Sequence, residues 1–237
     1  MPEMSYPVPV GVAAGGTVAG YLAVPAGAGP WPGVVVIHER FGLNDDIRSK
    51  ADDLAAHGYL ALAPDLFEGK PSIRCVRSAF RQLKDGSGPA FTVLETGRDF
   101  LAGRQDCTGK TGVIGFCLGG GFALLCAPRD GFAVAAVNYG DVPEDAEGVL
   151  AGSCPIVGSY GGRDKGIPTT QPERLQRALA VLEVPHDVKI YPGRGHRFLT
   201  ESAGDGVLAK VTGMSYEPHD AADAWERIYG FFGQFLR

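Results

Sequence analysis

The chain has 237 residues, with 22 basic and 27 acidic side chains and a formal net charge of −5. Nucleic acids and anionic membranes bind chiefly through Lys and Arg, so this balance, without a Lys/Arg-rich run, argues against both as partners. The 45% hydrophobic and 21% charged content is typical of globular proteins and excludes a disordered chain. We expect one cytoplasmic domain over residues 1–237, as a monomer or small homo-oligomer, because no segment resembles a signal peptide or a membrane span.

Short β-branched runs alternate with amphipathic segments, which predicts an α/β fold: a mostly parallel sheet with helices on both faces, in three layers. The predicted strands, in chain order, are 17–24, 33–38, 59–64, 110–116, 134–139, 155–159 and 187–191. Helices are predicted between the caps Asn44 or Asp45 and Gly58, over 74–84 and 91–101, from Leu118, and over 172–183 and 218–236. The polar segment 65–88 is the one expected to lie over a site.

The sharpest motif is Gly115-Phe116-Cys117-Leu118-Gly119, between a predicted strand and a predicted helix. In a nucleophile elbow the reactive residue occupies a strained turn, so the residues two before and two after it must be small. The helix N-terminus would favour a thiolate at Cys117, and the N–H of Leu118 would be an oxyanion donor. The alternative is a buried structural cysteine beside a glycine turn.

Two further loops follow predicted strands and carry an acid and a histidine. Asp164 lies after the strand 155–159 and His196 after the strand 187–191, so the chain order is Cys117, Asp164, His196. This order is typical of α/β-hydrolase triads, in which the acid orients the histidine and the histidine moves the nucleophile's proton. Asp141, after the strand 134–139, is a competing acid that we rank second.

The segment His38-Glu39-Arg40-Phe41-Gly42 follows the most apolar predicted strand, where such folds build an oxyanion loop. The backbone N–H of Arg40 is the candidate for the second oxyanion donor. Glu39 has two interpretations: an ion pair with Arg40 or a helix cap, or a carboxylate that hydrogen-bonds the Cys117 thiol and tunes its ionisation.

Over roughly residues 15–237 the sequence resembles the dienelactone hydrolase (carboxymethylenebutenolidase) family, a Cys-His-Asp branch of the α/β-hydrolase fold. The motifs that carry the resemblance are Glu39 with Phe41-Gly42, Ala63-Pro64-Asp65-Leu66, Gly115-Phe116-Cys117-Leu118-Gly119-Gly120, Asp164, and Gly195-His196-x-Phe198. The resemblance implies that Cys117 attacks a lactone carbonyl and that Leu118 and Arg40 hold the oxyanion. It also implies that Glu39 couples substrate arrival to thiol deprotonation.

In that family, arginines from the covering segment and from beyond the catalytic histidine grip the dienelactone carboxylate. The candidate substrate-binding residues here are Arg40, Phe41, Arg77, Arg81, Arg197 and Phe198. The expected function is hydrolysis of a lactone or activated ester through a covalent thioester, with no metal and no cofactor. The alternatives are a broad carboxylesterase or thioesterase without a carboxylate requirement, and a non-catalytic hydrolase-fold binding protein.

Overall fold

The computed structural model describes residues 3–69, 71–201 and 216–237. Eight strands form one sheet in the order β1-β2-β4-β3-β5-β6-β7-β8, with β1, β2 and β4 paired antiparallel and every other pairing parallel. The strands are β1 Glu3–Pro7, β2 Thr17–Ala23, β3 Trp31–Ile37, β4 Leu60–Pro64, β5 Cys107–Phe116, β6 Phe132–Asn138, β7 Ile156–Gly161 and β8 His186–Tyr191.

Seven α-helices connect or flank these strands within the described ranges. They are α1 Asp45–Ala56, α2 Ile73–Asp85, α3 Pro89–Ala102, α4 Leu118–Cys126, α5 Ala146–Leu150, α6 Thr170–Val181 and α7 Pro218–Leu236. The side chain of Asn44 caps α1 and that of Ser72 caps α2, each accepting a backbone N–H three residues on. In this part of the chain, no helix is long and apolar enough to cross a membrane.

The central strands are apolar on both faces because helices cover both sides of the sheet. Along β3, Val35 and Ile37 belong to one hydrophobic cluster, while Val34 and Val36 belong to the other. The first cluster includes residues of α3, α4 and α6, and the second includes residues of α1 and α7. The predicted three-layer α/β architecture is therefore confirmed.

The sequence patterns did not predict β1 or α5. β1 is a five-residue edge strand that ends in proline, and α5 is a single turn of five residues. Segments this short carry too few residues to establish a hydrophobic period, so their conformation depends on what they pack against. All seven predicted strands are present, and where a bound differs from the predicted one it does so by one to three residues.

Candidate active site

Cys117 lies between β5 and α4 in a backbone conformation that residues other than glycine rarely adopt. Its φ is 56° and its ψ is −116°. The Cys117 N–H donates to the Asn138 carbonyl at 3.0 Å, and Asn138 Nδ2 donates to the Gly115 carbonyl at 3.2 Å. The neighbouring strand end therefore holds the turn in place, which is how a strained residue persists in a folded protein.

The glycines two residues before and after Cys117 are required by close backbone contacts. A Cβ on Gly115 would lie 1.9 Å from the Gly119 carbonyl oxygen, and a Cβ on Gly119 would lie 2.3 Å from the Ile37 carbonyl oxygen. Such distances are far inside van der Waals contact, so no side chain fits at either position. The spacing predicted for a nucleophile elbow thus has a direct steric cause.

The N-terminus of α4 points its free backbone N–H groups at the Cys117 turn. Leu118 is the first residue of α4, and the N–H groups of a helix's first turn have no acceptor within the helix. Arg40 lies within a tight turn in which the Gly42 N–H donates to the Glu39 carbonyl at 3.1 Å. This turn follows β3, the strand adjacent to β5.

Asp164 holds His196 in one orientation. Its Oδ2 lies 2.6 Å from His196 Nδ1, and its Oδ1 accepts the backbone N–H groups of Gly166 at 2.8 Å and Ile167 at 3.0 Å. Because a carboxylate only accepts, Nδ1 carries the proton and Nε2 is left for the substrate side. The Asp164 side chain is 1% exposed, so it is fixed by these three donors.

The electrostatics of His196 favour its protonated form. Burial alone lowers its pKa, but hydrogen bonds to Asp164 and to Cys117, with the electrostatic attraction of the same two groups, together outweigh burial and raise the pKa to about 10. Cys117, His196 and Asp164 thus form one connected series, although they come from three different loops. Asp141, the competing acid, is exposed and lies among the residues that line a cavity beside Cys117 and His196.

Glu39 is 1% exposed and is bound by residues that follow His196. Arg197 Nε donates to its Oε2 at 2.6 Å, and Thr200 Oγ1 donates to its Oε1 at 3.1 Å. Of the two interpretations of Glu39, the first had an ion pair with Arg40 or a helix cap; the ion pair in the structure is with Arg197 instead. A buried carboxylate needs such partners, because desolvation of an unpaired charge is costly.

Tyr139 extends this network from the opposite side. Its hydroxyl lies 3.3 Å from Thr200 Oγ1, and because the Thr200 proton goes to Glu39, Tyr139 is the donor in this second bond. Burial and the nearby charge of Glu39 raise the pKa of Tyr139 well above its ordinary value, so the hydroxyl keeps its proton. The Tyr139 ring also packs edge-on to His196, with 5.1 Å between the ring centroids.

A cavity of about 380 Å³ opens beside Cys117 and His196. Its apolar lining consists of Phe80, Leu83, Leu118, Tyr139 and Ile167. In the described part of the chain, the charged side chains on its wall, besides Asp164 and His196, are Arg40, Asp141, Lys165 and Arg197. A volume of this size fits a small organic ligand.

The predicted substrate-binding residues divide by position. Arg40 and Arg197 line the cavity. Phe41 lies outside its lining, and the centre of its ring is 4.8 Å from the Arg40 guanidinium carbon and 4.7 Å from that of Arg197. Of the described residues on α2, Phe80 and Leu83 line this cavity, whereas Arg77 and Arg81 are exposed and lie outside its lining.

Phe198 is fully buried behind the site. Its ring packs against Tyr139 and Tyr191, at centroid distances of 6.0 Å and 4.9 Å, and it lies outside the residues that line the cavity.

Sequence reasoning missed Tyr139, Thr200, Phe80 and Leu83 as members of the site. Tyr139 directly follows β6, so its position after a strand end was a usable signal. Thr200 carries no motif, and the two residues on α2 are ordinary apolar positions of an amphipathic helix. Their place in the site follows from how α2 and the 196–200 loop pack.

The family model for the dienelactone hydrolase family matches residues 18–236. The chain belongs to the dienelactone hydrolase family. Relatives named "Putative carboxymethylenebutenolidase" include one from Synechocystis sp., 31% identical over 93% of this chain and 93% of its own length. Another, from Escherichia coli, is 30% identical over 87% of this chain and 78% of its own length.

Solved structures of the same family superpose on nearly the whole chain. The structure described as "Putative Dienelactone Hydrolase" from Klebsiella pneumoniae is 25% identical, covers 99% of this chain and 100% of its own, and has a TM-score of 0.77. A dienelactone hydrolase from Anabaena variabilis, 21% identical over the full length of both chains, has a TM-score of 0.66 and shows the shared fold. As a dienelactone hydrolase family member, the protein is a hydrolase of small-molecule lactones or esters.

Proposed function

We propose that this dienelactone hydrolase family member cleaves a lactone or activated ester with Cys117 as nucleophile, His196 as the proton carrier and Asp164 as its orienting acid. The observation that carries the proposal is the connected series Asp164–His196–Cys117, in which the 2.6 Å bond from His196 Nδ1 to Asp164 directs the other ring nitrogen away from the acid. The strained Cys117 turn at the head of α4 supports the same assignment.

In the first half-reaction the thiol proton passes to His196, and the pKa of about 10 favours its retention there. Cys117 Sγ attacks the carbonyl carbon, and the developing oxyanion is held by the backbone N–H groups of Leu118 and Arg40. When the C–O bond breaks, His196 donates its proton to the departing oxygen. The acyl group remains on Cys117 as a thioester.

In the second half-reaction His196 is neutral and takes a proton from water as the water attacks the thioester carbonyl. The same two N–H groups hold the second oxyanion. Collapse expels the Cys117 sulfur, which regains the proton from His196, and the carboxylic acid leaves. Asp164 stays ionised throughout and stabilises the imidazolium whenever His196 is charged.

Glu39 and Arg197 could couple substrate binding to the ionisation of Cys117. Arg197 lines the cavity and is bound to Glu39, so an anionic substrate group that attracts Arg197 would loosen the Glu39 carboxylate. The freed carboxylate would then hydrogen-bond the Cys117 thiol and promote its deprotonation, which is the role that the family resemblance implies. This step requires a substrate that carries a carboxylate.

The experiment is to compare wild type with Cys117→Ala on a carboxylated dienelactone, a neutral lactone and a 4-nitrophenyl ester. Cys117→Ala should abolish turnover of every substrate that the wild type hydrolyses, with the thermal midpoint within a few degrees. Mass spectrometry of the wild type, quenched during turnover, should show an acyl adduct on Cys117. Unchanged turnover in Cys117→Ala would refute the mechanism.

The matched control is Cys75→Ala, because Cys75 lies on α2 outside this site. A hydrogen bond from Ser72 lowers the pKa of the Cys75 thiol, so this thiol forms a thiolate more readily than an ordinary cysteine. Cys75→Ala should retain full turnover. Preference for the carboxylated lactone supports the Arg197 step above. Turnover that depends on Cys117 and prefers neutral esters favours the alternative function of a broad carboxylesterase. No turnover of any of the three substrates favours the alternative of a non-catalytic binding protein.

A further inference from the structure

A second cavity, of about 710 Å³, adjoins the candidate active-site cavity. The two cavities lie side by side, because three residues line both of them: Phe80, Leu83 and Asp141. The second cavity is formed by the C-terminal end of α2, by Leu125 of α4, by the 141–144 loop and by α5 and α6. It therefore extends the site away from the nucleophile.

The loop between the two cavities is held in place by α6. The Val142 N–H donates to Gln171 Oε1 at 2.8 Å, and the guanidinium of Arg174 donates to the carbonyls of Val142 at 3.2 Å and Pro143 at 3.0 Å. With its backbone bonded in this way, the loop forms a fixed wall, because each of these bonds would have to break before the cavity could close.

Leu83 takes its place in the shared wall because Gly121 has no side chain. A Cβ on Gly121 would lie 2.8 Å from Leu83 Cδ2, so the glycine lets α2 pack closely on α4. Phe80, one turn earlier on α2, is 49% exposed, and Val149 of α5, which lines the second cavity, is 38% exposed. Apolar side chains left open to solvent along a cavity are positioned to contact a ligand.

We propose that the substrate is an ester with an extended, uncharged chain that runs from Cys117 past Phe80 and Leu83 into the second cavity. The inference rests on the proposed function, since the ester carbonyl must lie at Cys117. A small lactone fills only the first cavity, whereas the two together hold a longer molecule. Among the described residues, the ionisable groups lining the second cavity are the acids Asp85, Asp141 and Glu144 and the bases Lys84 and Arg174. Because acids outnumber bases and Arg174 is bound to two carbonyls, a chain ending in a carboxylate is disfavoured.

The test measures kcat/KM for 4-nitrophenyl acetate, butyrate and octanoate, and for the acetates of short and long alcohols, each below its micelle concentration. A buried CH₂ group raises kcat/KM by up to about fourfold. One of the two series should therefore rise steeply with length, and which one it is tells whether the acyl or the alcohol chain occupies the second cavity. If the acyl series rises, mono-4-nitrophenyl suberate, whose acyl chain ends in a carboxylate, should react more slowly than the octanoate.

The decisive variant is Val149→Trp, which places a large ring in the second cavity. It should lower the ratio of kcat/KM for the longest ester over the shortest by at least tenfold. Its matched control is Val181→Trp, at another exposed valine, which is 64% exposed at the end of α6 and lines neither cavity. That variant should keep the wild-type ratio.

A second readout does not depend on turnover: inactivation by alkyl bromoacetates, in which a thiolate displaces bromide and a C–S bond forms. In a Cys75→Ala background, the rate of Cys117 alkylation should rise with alkyl length and lose this dependence in Val149→Trp. Length-independent rates in both assays, or an unchanged ratio in Val149→Trp, would overturn the extended-chain proposal. Turnover that persists in Cys117→Ala would instead overturn the proposed nucleophile, so the two failures are distinguishable.

Discussion

Arg197 Nε donates a 2.6 Å hydrogen bond to Glu39 Oε2 across 158 residues of chain. The Glu39 side chain is 2% exposed and that of Arg197 is 14% exposed, so both charges are largely removed from water. The pair joins the loop after β3 to the loop that carries His196. In the proposed mechanism it couples the turn that holds the oxyanion to the residue that carries the proton.

Removing one member of this pair should destabilise the fold more than removing both. Arg197→Leu leaves the Glu39 carboxylate buried, with Thr200 as its remaining donor among the residues that the structure describes. Loss of one partner of a buried pair costs about 3–5 kcal/mol. The double variant Arg197→Leu/Glu39→Gln should recover part of this loss, because no buried charge is left. Urea unfolding of wild type, Arg197→Leu, Glu39→Gln and the double variant measures the coupling, and strictly additive losses would contradict it.

Thr200 should stabilise the Glu39 carboxylate together with Tyr139. Thr200→Val keeps the shape of the side chain but removes the donor to Glu39 and the acceptor for Tyr139, which should cost about 1–3 kcal/mol. Tyr139→Phe alone should cost less, because Thr200 keeps its bond to Glu39. In the double-mutant cycle the losses should be less than additive. Equal losses in the two single variants would argue against the hydrogen-bond series from Tyr139 through Thr200 to Glu39.

His196 should make stability depend on pH in alkaline solution. Its pKa is about 10 in the folded protein, against about 6.5 for an unfolded histidine. A raised pKa contributes stability that is fully present below about pH 6.5 and is lost as pH rises through about 10. Unfolding free energies measured between pH 6 and 10 should therefore fall more steeply for wild type than for His196→Gln. Parallel curves for the two proteins would mean that His196 is not held protonated.

Two glycines of α4 should respond differently to alanine. At Gly119 the new Cβ meets the Ile37 carbonyl oxygen at 2.3 Å, which is backbone and cannot move away, so Gly119→Ala should unfold the protein or abolish turnover. At Gly121 it meets the Leu83 side chain at 2.8 Å, which can rotate. Gly121→Ala should therefore fold and change the preference between short and long esters. Thermal midpoints and the ester series measure both effects, and equal damage at the two positions would contradict this difference.

The sequence by itself determined the architecture and the positions of the chemical groups. Alternating apolar runs and amphipathic segments are local patterns, so they predicted the α/β layers and most of the strands and helices, with bounds that differ by one to three residues. Cys117, Asp164 and His196 were recognisable as candidates because each lies in the turn or loop that follows a strand, and parallel strands end at the same edge of a sheet. The small residues at Gly115 and Gly119 were likewise implied by the turn between strand and helix.

The tertiary structure alone decided which groups meet. Glu39 pairs with Arg197 and not with the adjacent Arg40 because the two loops lie side by side at the sheet edge, a relation that no local pattern encodes. In the same way α2 turns Phe80 and Leu83, and not Arg77 and Arg81, toward the first cavity, since its packing against α4 at Gly121 sets its rotation. A hydrophobic period identifies a helix and its apolar face, but partner choice across a fold is a property of packing.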